Sequence, residues 1–196
     1  MDFTDYSLNL MLSVFLIVGA YQFYFWCQRH PLASPRELKL RLDERIPYRP
    51  NWVWVYSFLY YPAILYLNWI VDSPAQFTRV AASFLLLLGL QMAFFIAFPV
   101  ITPARWRELN ARRTPAERFL AYVQRVDAPS NCFPSMHVSV ATLTALYLYP
   151  TLGPWALLFP VLIAASAVFT KQHYLADLPA GAALGWAAFK IFARIG

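Results

Sequence analysis

Long runs without a charged side chain decide most of what this chain can fold into. No Asp, Glu, Lys or Arg occurs from Tyr6 to Gln28, Pro50 to Val71, Val80 to Ala104 or Ala128 to Thr170. A helix needs roughly 20 apolar residues to cross a bilayer, so each of the first three runs is predicted to form one span. The fourth is long enough for two, turning near Pro150 to Pro154, where Pro, Thr and Gly interrupt the apolar pattern. A last span runs from Tyr174 to Phe192, with Asp177 near one end and Lys190 near the other. The expected fold is all-α: a six-helix transmembrane bundle forming a single domain over residues 1–196, with spans at about 7–27, 52–71, 80–101, 136–150, 154–170 and 174–193.

Composition agrees with a membrane solvent. The chain is 60% hydrophobic and 13% charged, whereas charged residues make up about 25% of an ordinary soluble domain. A water-soluble fold and intrinsic disorder are both excluded on that ground. Cys27 and Cys132 lie far apart in an apolar sequence, which excludes a disulfide framework. Asp2 and Asp5 precede the first apolar run with no cation before it, a pattern unlike a signal peptide.

The net charge of +6 comes mainly from two loops. Residues 28–50 carry Arg29, Arg36, Lys39, Arg41, Arg45 and Arg49, and residues 102–136 carry Arg105, Arg107, Arg112, Arg113, Arg118 and Arg125. Cations placed beside apolar segments fit anionic lipid headgroups or a phosphate substrate, not nucleic acid. Six spans put both loops, and Lys171, on one side of the membrane. The positive-inside rule makes that side cytoplasmic, in a multi-pass protein of the cell (inner) membrane. Both loops contain helix-start signatures. Ser34-Pro35-Arg36-Glu37 and Thr114-Pro115-Ala116-Glu117 each read as N-cap, Pro at the first position and Glu at the third. The helices they predict would lie in the interface on Leu38, Leu42 and Ile46 in one case, and on Phe119, Tyr122, Val123 and Val126 in the other. Gly181 and Gly185 form a small-x-x-x-small pair that would admit a neighbouring helix.

Polar groups at membrane depth are costly, so those present are functional candidates. His30, in an Arg-His-Pro stretch, belongs to the interface. His137 stands in Asn131-Cys132-Phe133-Pro134-Ser135-Met136-His137, where the fourth span begins. With Pro134 at the first helical position, the free N–H groups of that helix end would receive a phosphate, Ser135 would add a hydroxyl, and His137 could pass a proton to a leaving oxygen. His173 and Asp177 are four residues apart, which places them on one face of the sixth helix. A carboxylate on one imidazole nitrogen fixes the tautomer and leaves the other able to attack phosphorus, with Lys171 adjacent as a point charge. Helix capping, headgroup contact or a metal site built on the same imidazoles are the competing readings.

These residues resemble the type 2 phosphatidic acid phosphatase superfamily, whose three motifs are Lys-x6-Arg-Pro, Pro-Ser-Gly-His and Ser-Arg-x5-His-x3-Asp. Pro134-Ser135-Met136-His137 is similar to the second, and Ser166, His173 and Asp177 match the spacing of the third. Phe133-Pro134-Ser135 and Lys171-Gln172-His173-Tyr174 look nearer the branch that contains inositol phosphorylceramide synthase. The resemblance covers roughly residues 99–185 and departs from the pattern at Met136, Ala167, Phe98 and Trp106. It implies six membrane helices, His173 as the nucleophile forming a phosphohistidine, Asp177 as its orienting partner, His137 as the acid for the leaving alcohol, and Ser135 on the phosphate. With the first motif largely missing, Arg105 and Lys171 are the expected phosphate cations, and Arg112 or Arg113 their substitutes.

The function expected is a lipid phosphatase that acts on a phosphorylated lipid among membrane lipids, with no metal and no cofactor. A lipid phosphotransferase is the nearest alternative. A non-enzymatic lipid-binding or transport protein and a metal-dependent hydrolase stand further off.

Overall fold

A computed structural model describes residues 3–38 and 40–193; Asp2 and Lys39, counted among the charges above, lie outside the described residues. The described residues are all-helical, with 76% of them in helices. The first helix, α1, runs Phe3–Arg29. After the short α2 (Arg41–Arg45) come α3 (Val53–Phe58), α4 (Tyr60–Ile70) and α5 (Pro74–Ala97). The second half contains α6 (Ala104–Glu108), α7 (Pro115–Val126), α8 (Met136–Leu152), α9 (Leu158–Phe169) and α10 (Asp177–Ala193). Among the described residues three stretches are long and apolar enough to cross a membrane: Phe3–Arg29, Pro74–Ala97 and Met136–Phe169.

The third of these stretches, 34 residues long, would extend about 51 Å if straight, too long for one crossing. It reverses instead. Pro150 lies in the last turn of α8, Gly153 adopts φ 55°, and a short 3-10 turn with Pro154 leads into α9. Val138 at the start of α8 consequently packs against Phe159 and Ile163 of α9.

Proline chemistry explains the other boundaries. The run expected at 52–71 is broken between Phe58 and Tyr60, where Pro62 removes the bond to the carbonyl four residues earlier and crowds it. Pro160 and Pro179 stand in the first turns of α9 and α10, where no such bond is lost. The Thr114 signature forms as expected: its hydroxyl accepts from Glu117 N at 3.2 Å and Glu117 reaches back to Thr114 N at 2.9 Å, opening α7. The Ser34 signature does not. Arg36 pairs its backbone with the Pro99–Ile101 segment instead, donating to Pro99 O at 3.0 Å and accepting from Ile101 N at 2.9 Å. That ladder satisfies the groups a helix would have used, and among the described residues the α-helix of this loop is the five-residue α2 further on.

Two further expectations are corrected at the ends of α8 and α10. Ser135, not Pro134, begins the α8 turn: it is the N-cap, its Oγ accepting from Val138 N at 3.3 Å, so Pro134 stays outside the helix. The last helix begins at Asp177 rather than Tyr174, because Asp177 uses its own carboxylate to hold Tyr174 N at 2.8 Å and closes the turn there. His173 therefore lies in the loop before α10.

The α8–α10 pair carries the architecture. A Cβ on Gly181 would lie 2.5 Å from Ser135 O, and one on Gly185 would collide with Ser139 O. The two backbones are in contact because both positions lack a side chain. Behind α8, the wholly buried Gln91 of α5 donates to Pro134 O at 2.5 Å and accepts from Ser139 Oγ at 3.0 Å, fixing the same end of the helix. Gly185→Val is expected to destabilise the protein by about 1–3 kcal/mol, as overpacking does, and to lower its thermal midpoint in detergent. Gly89→Ala, which meets nothing within 4 Å, should leave that midpoint unchanged or raise it; an equal loss in both variants would contradict the packing.

Candidate active site

The contact between α8 and α10 brings the two expected histidines together. Ser135 N donates to Asp177 O at 3.1 Å, so the start of α8 is bonded to the start of α10. His137 follows as the second residue of α8, and the His137 and His173 rings meet edge to face, their centroids 5.7 Å apart.

The hydrogen bonds of His173 define its chemistry. Its Nδ1 is 3.0 Å from Cys132 O and 3.2 Å from Asp177 Oδ2. The Cys132 carbonyl can only accept, so Nδ1 carries a proton, and Nε2 is the nitrogen that holds the lone pair of a neutral ring. Asp177 is itself held by Tyr174 N, and its Oδ1 is buried with no partner among the described residues. His173 is 5% exposed and Asp177 0%. The loop that carries His173 is turned by Lys171, at φ 59°, and anchored by Gln172 N on Ala167 O at 2.9 Å.

His137 is gripped from the other side. The Tyr56 ring stacks on it at 4.2 Å between centroids, with the Tyr56 hydroxyl 3.2 Å from His137 Nδ1. Tyr60 donates to His137 O at 2.6 Å. Nδ1 is thus occupied, and Nε2 is the ring nitrogen without a hydrogen bond among the described residues.

Both imidazoles line one cavity, shared with Tyr24 of α1, Tyr56 of α3, Arg107 of α6 and the loop from Asp127 to Cys132. Its free volume is about 10 Å³, room for about one water. A phosphate group is larger, so its binding requires wall side chains to part.

Not every expected residue reaches this cavity. Ser135 is fully buried beside it as the α8 cap. Arg105 is on the outside, paired with Glu44 at 2.7 Å, both side chains half exposed. Lys171 is buried, donating to Asp43 O at 2.6 Å over the Trp106 ring. Burial pushes its pKa below the ordinary lysine value, and Asp43 and Glu44 pull it back. Arg112 and Arg113 are exposed and do not line the cavity. Among the described residues, no group of three or more His, Cys, Asp and Glu side chains could hold a metal ion.

The cavity cation is Arg107, which sequence reasoning passed over. Two residues apart on α6, Arg105 and Arg107 point about 200° from each other, so only one can face inward. Arg107 spends its two terminal nitrogens on Gln124 O at 2.5 Å and Asp127 O at 2.8 Å, while its Nε is buried without a partner among the described residues. Burial lowers its pKa and the Asp127 carboxylate opposes that. Asp127 was missed as well, because a single acid in a loop has no periodicity to mark it. Its Oδ1 accepts from Gln28 Nε2 at 2.6 Å and Tyr24 Oη at 3.0 Å, both on α1. Burial raises its pKa above the usual carboxylate range, and the Gln28 and Tyr24 bonds and the Arg107 charge pull it down.

Residues 32–191 match the PAP2 superfamily. The chain belongs to that superfamily. Its members are phosphatases and phosphotransferases, so the chain is an enzyme of that general class. With its long apolar helices, it is also a membrane protein. The PAP2 match reaches well beyond the motif-bearing part of the sequence and includes α2 to α5, but α1 lies before it. No curated protein and no solved structure is significantly similar to the chain.

Cys132, whose carbonyl accepts from His173, is 3% exposed, and burial holds its thiol well above the ordinary value. The thiolate is the reactive form. A maleimide at neutral pH is therefore expected to leave Cys132 unmodified in the folded protein and to modify it after denaturation. Rapid labelling of the folded protein would contradict the closed site.

Proposed function

We propose that this protein is a lipid phosphatase that hydrolyses a phosphomonoester or diphosphate headgroup through a phosphohistidine, without a metal ion. The observation that carries the reading is the double acceptor on His173 Nδ1, which leaves Nε2 as a lone-pair nucleophile 5.7 Å, centroid to centroid, from a second imidazole. In the first step Nε2 of His173 bonds to phosphorus as the ester P–O bond breaks. His137, as an imidazolium with one N–H on the Tyr56 oxygen, gives its other proton to the leaving alkoxide and becomes neutral. Asp177 holds the ring and balances the positive charge it gains.

Phosphoryl transfer leaves negative charge on the equatorial oxygens, and positioned cations supply most of the rate. Arg107 takes that role here, supported by its place in the cavity wall with both imidazoles and by an Nε that has no hydrogen-bond partner among the described residues. Ser135 would present the first N–H groups of α8 to the phosphate. Arg105 and Lys171 reach it only by leaving Glu44 and Asp43 when the cavity opens.

The proposed setting is a multi-pass protein of the cell membrane. It crosses six times, by α1, by α3 with α4, by α5, α8, α9 and α10, with the site at the basic cytoplasmic face. The lipid chains stay between helices while the headgroup reaches the cavity. A phosphotransferase, in which an alcohol accepts the phospho-headgroup, is the second reading, supported by the Phe133-Pro134-Ser135 and Lys171-Gln172-His173-Tyr174 segments that resemble the inositol phosphorylceramide synthase branch.

Phosphate release from a panel of phosphatidic acid and prenyl diphosphates tests the function. His173→Ala and His137→Ala are each expected to lower turnover by at least about 10²-fold in protein that remains folded, Arg107→Ala should lower it by about 10²-fold, and a chelator should change nothing. Full activity in His173→Ala, or activity lost to a chelator and restored by a divalent ion, would refute the mechanism.

A further inference from the structure

The mechanism above leaves the carboxylate of the cavity wall unused. Asp127 lines the same cavity as the two imidazoles, and a carboxylate there opposes an incoming phosphate unless it serves another step. Both of its hydrogen bonds, from Tyr24 and Gln28, fall on Oδ1, and among the described residues none reaches Oδ2. The neighbouring backbone is fixed too. Arg107 holds Asp127 O and Asn131 Nδ2 donates to Tyr24 O at 3.2 Å, so α1 and the 127–132 loop are bonded in both directions.

We propose that Asp127 orients the water that breaks the phosphohistidine, and that α1, through Tyr24 and Gln28, is part of the catalytic unit. This rests on the phosphohistidine reading. A water molecule has two protons, and in line with the N–P bond it needs two acceptors. His137 Nε2, neutral after the first step, takes one proton as the water oxygen bonds to phosphorus and the Nε2–P bond of His173 breaks. The second proton points at Asp127 Oδ2 and stays on the product as a P–OH group. His137 ends as the imidazolium and His173 as the neutral imidazole, so the cycle closes. An alcohol has only one hydroxyl proton, which His137 takes, so it gains nothing from Asp127. The carboxylate thereby favours hydrolysis over transfer.

The test uses the full chain in detergent micelles with phosphatidic acid labelled in its phosphate, quenched on the millisecond scale, with and without glycerol as an alcohol acceptor. Asp127→Asn is expected to form the acid-labile phosphoenzyme in a burst within about twofold of wild type, yet to release phosphate about 10²-fold more slowly, the scale of lost positioning. With glycerol present, its ratio of transfer to hydrolysis should rise at least about tenfold. Tyr24→Phe should shift both readouts the same way by a smaller factor. A burst lost together with turnover would make Asp127 merely structural and overturn the proposal, as would an unchanged ratio of transfer to hydrolysis. No phosphoenzyme in wild type, or an undiminished one in His173→Ala, would instead defeat the reading beneath it.

Discussion

Helices α8 and α10 touch backbone to backbone at Gly181 and Gly185, and the site depends on that contact. A lipid solvent supplies no hydrophobic drive to pair two apolar helices, so close packing and interhelical hydrogen bonds must do it. Here the glycines bring Ser135 within bonding distance of Asp177 O. One helix start then carries His137 and the other carries Asp177, with His173 just before it. A side chain at either glycine would drive the helix ends apart and separate the imidazoles.

Polar atoms in such a setting are bonded with few spare partners, and this makes the chemistry definite. Gln91 satisfies Pro134 and Ser139 behind the site, Tyr56 and Tyr60 satisfy His137 in front of it, and Cys132 O with Asp177 decides which nitrogen of His173 is free. Among the described residues, Arg107 Nε and Asp177 Oδ1 are two of the buried polar atoms left without partners, on residues that hold the 127–132 loop and His173.

Much of this was legible in the sequence, where a residue's role follows from type and spacing. The apolar runs foretold an all-helical membrane chain, the Thr114 signature opened α7, and the glycine pair found its neighbour. His137, His173 and Asp177 were singled out and are together in space. What escaped depended on tertiary partners. The Ser34 signature lost to backbone pairing with Pro99–Ile101, and Asp177 moved the helix start past His173. Arg105 and Arg107 are equivalent in composition, and only the rotation of the five-residue α6 turns Arg107 inward. Asp127 gains its importance from Tyr24 and Gln28, about a hundred residues earlier on a helix that carries no motif.

The central claim is that two imidazoles from separate elements address one phosphorus atom from opposite sides. An experimental structure with vanadate, which adopts the trigonal-bipyramidal shape of the transferring phosphoryl group, tests it most directly. Vanadium bonded to Nε2 of His173, with Nε2 of His137 in hydrogen-bond range of the opposite apical oxygen, is the predicted result. Vanadate bound elsewhere, or held in the cavity with His173 Nε2 turned away from the metal, would contradict it.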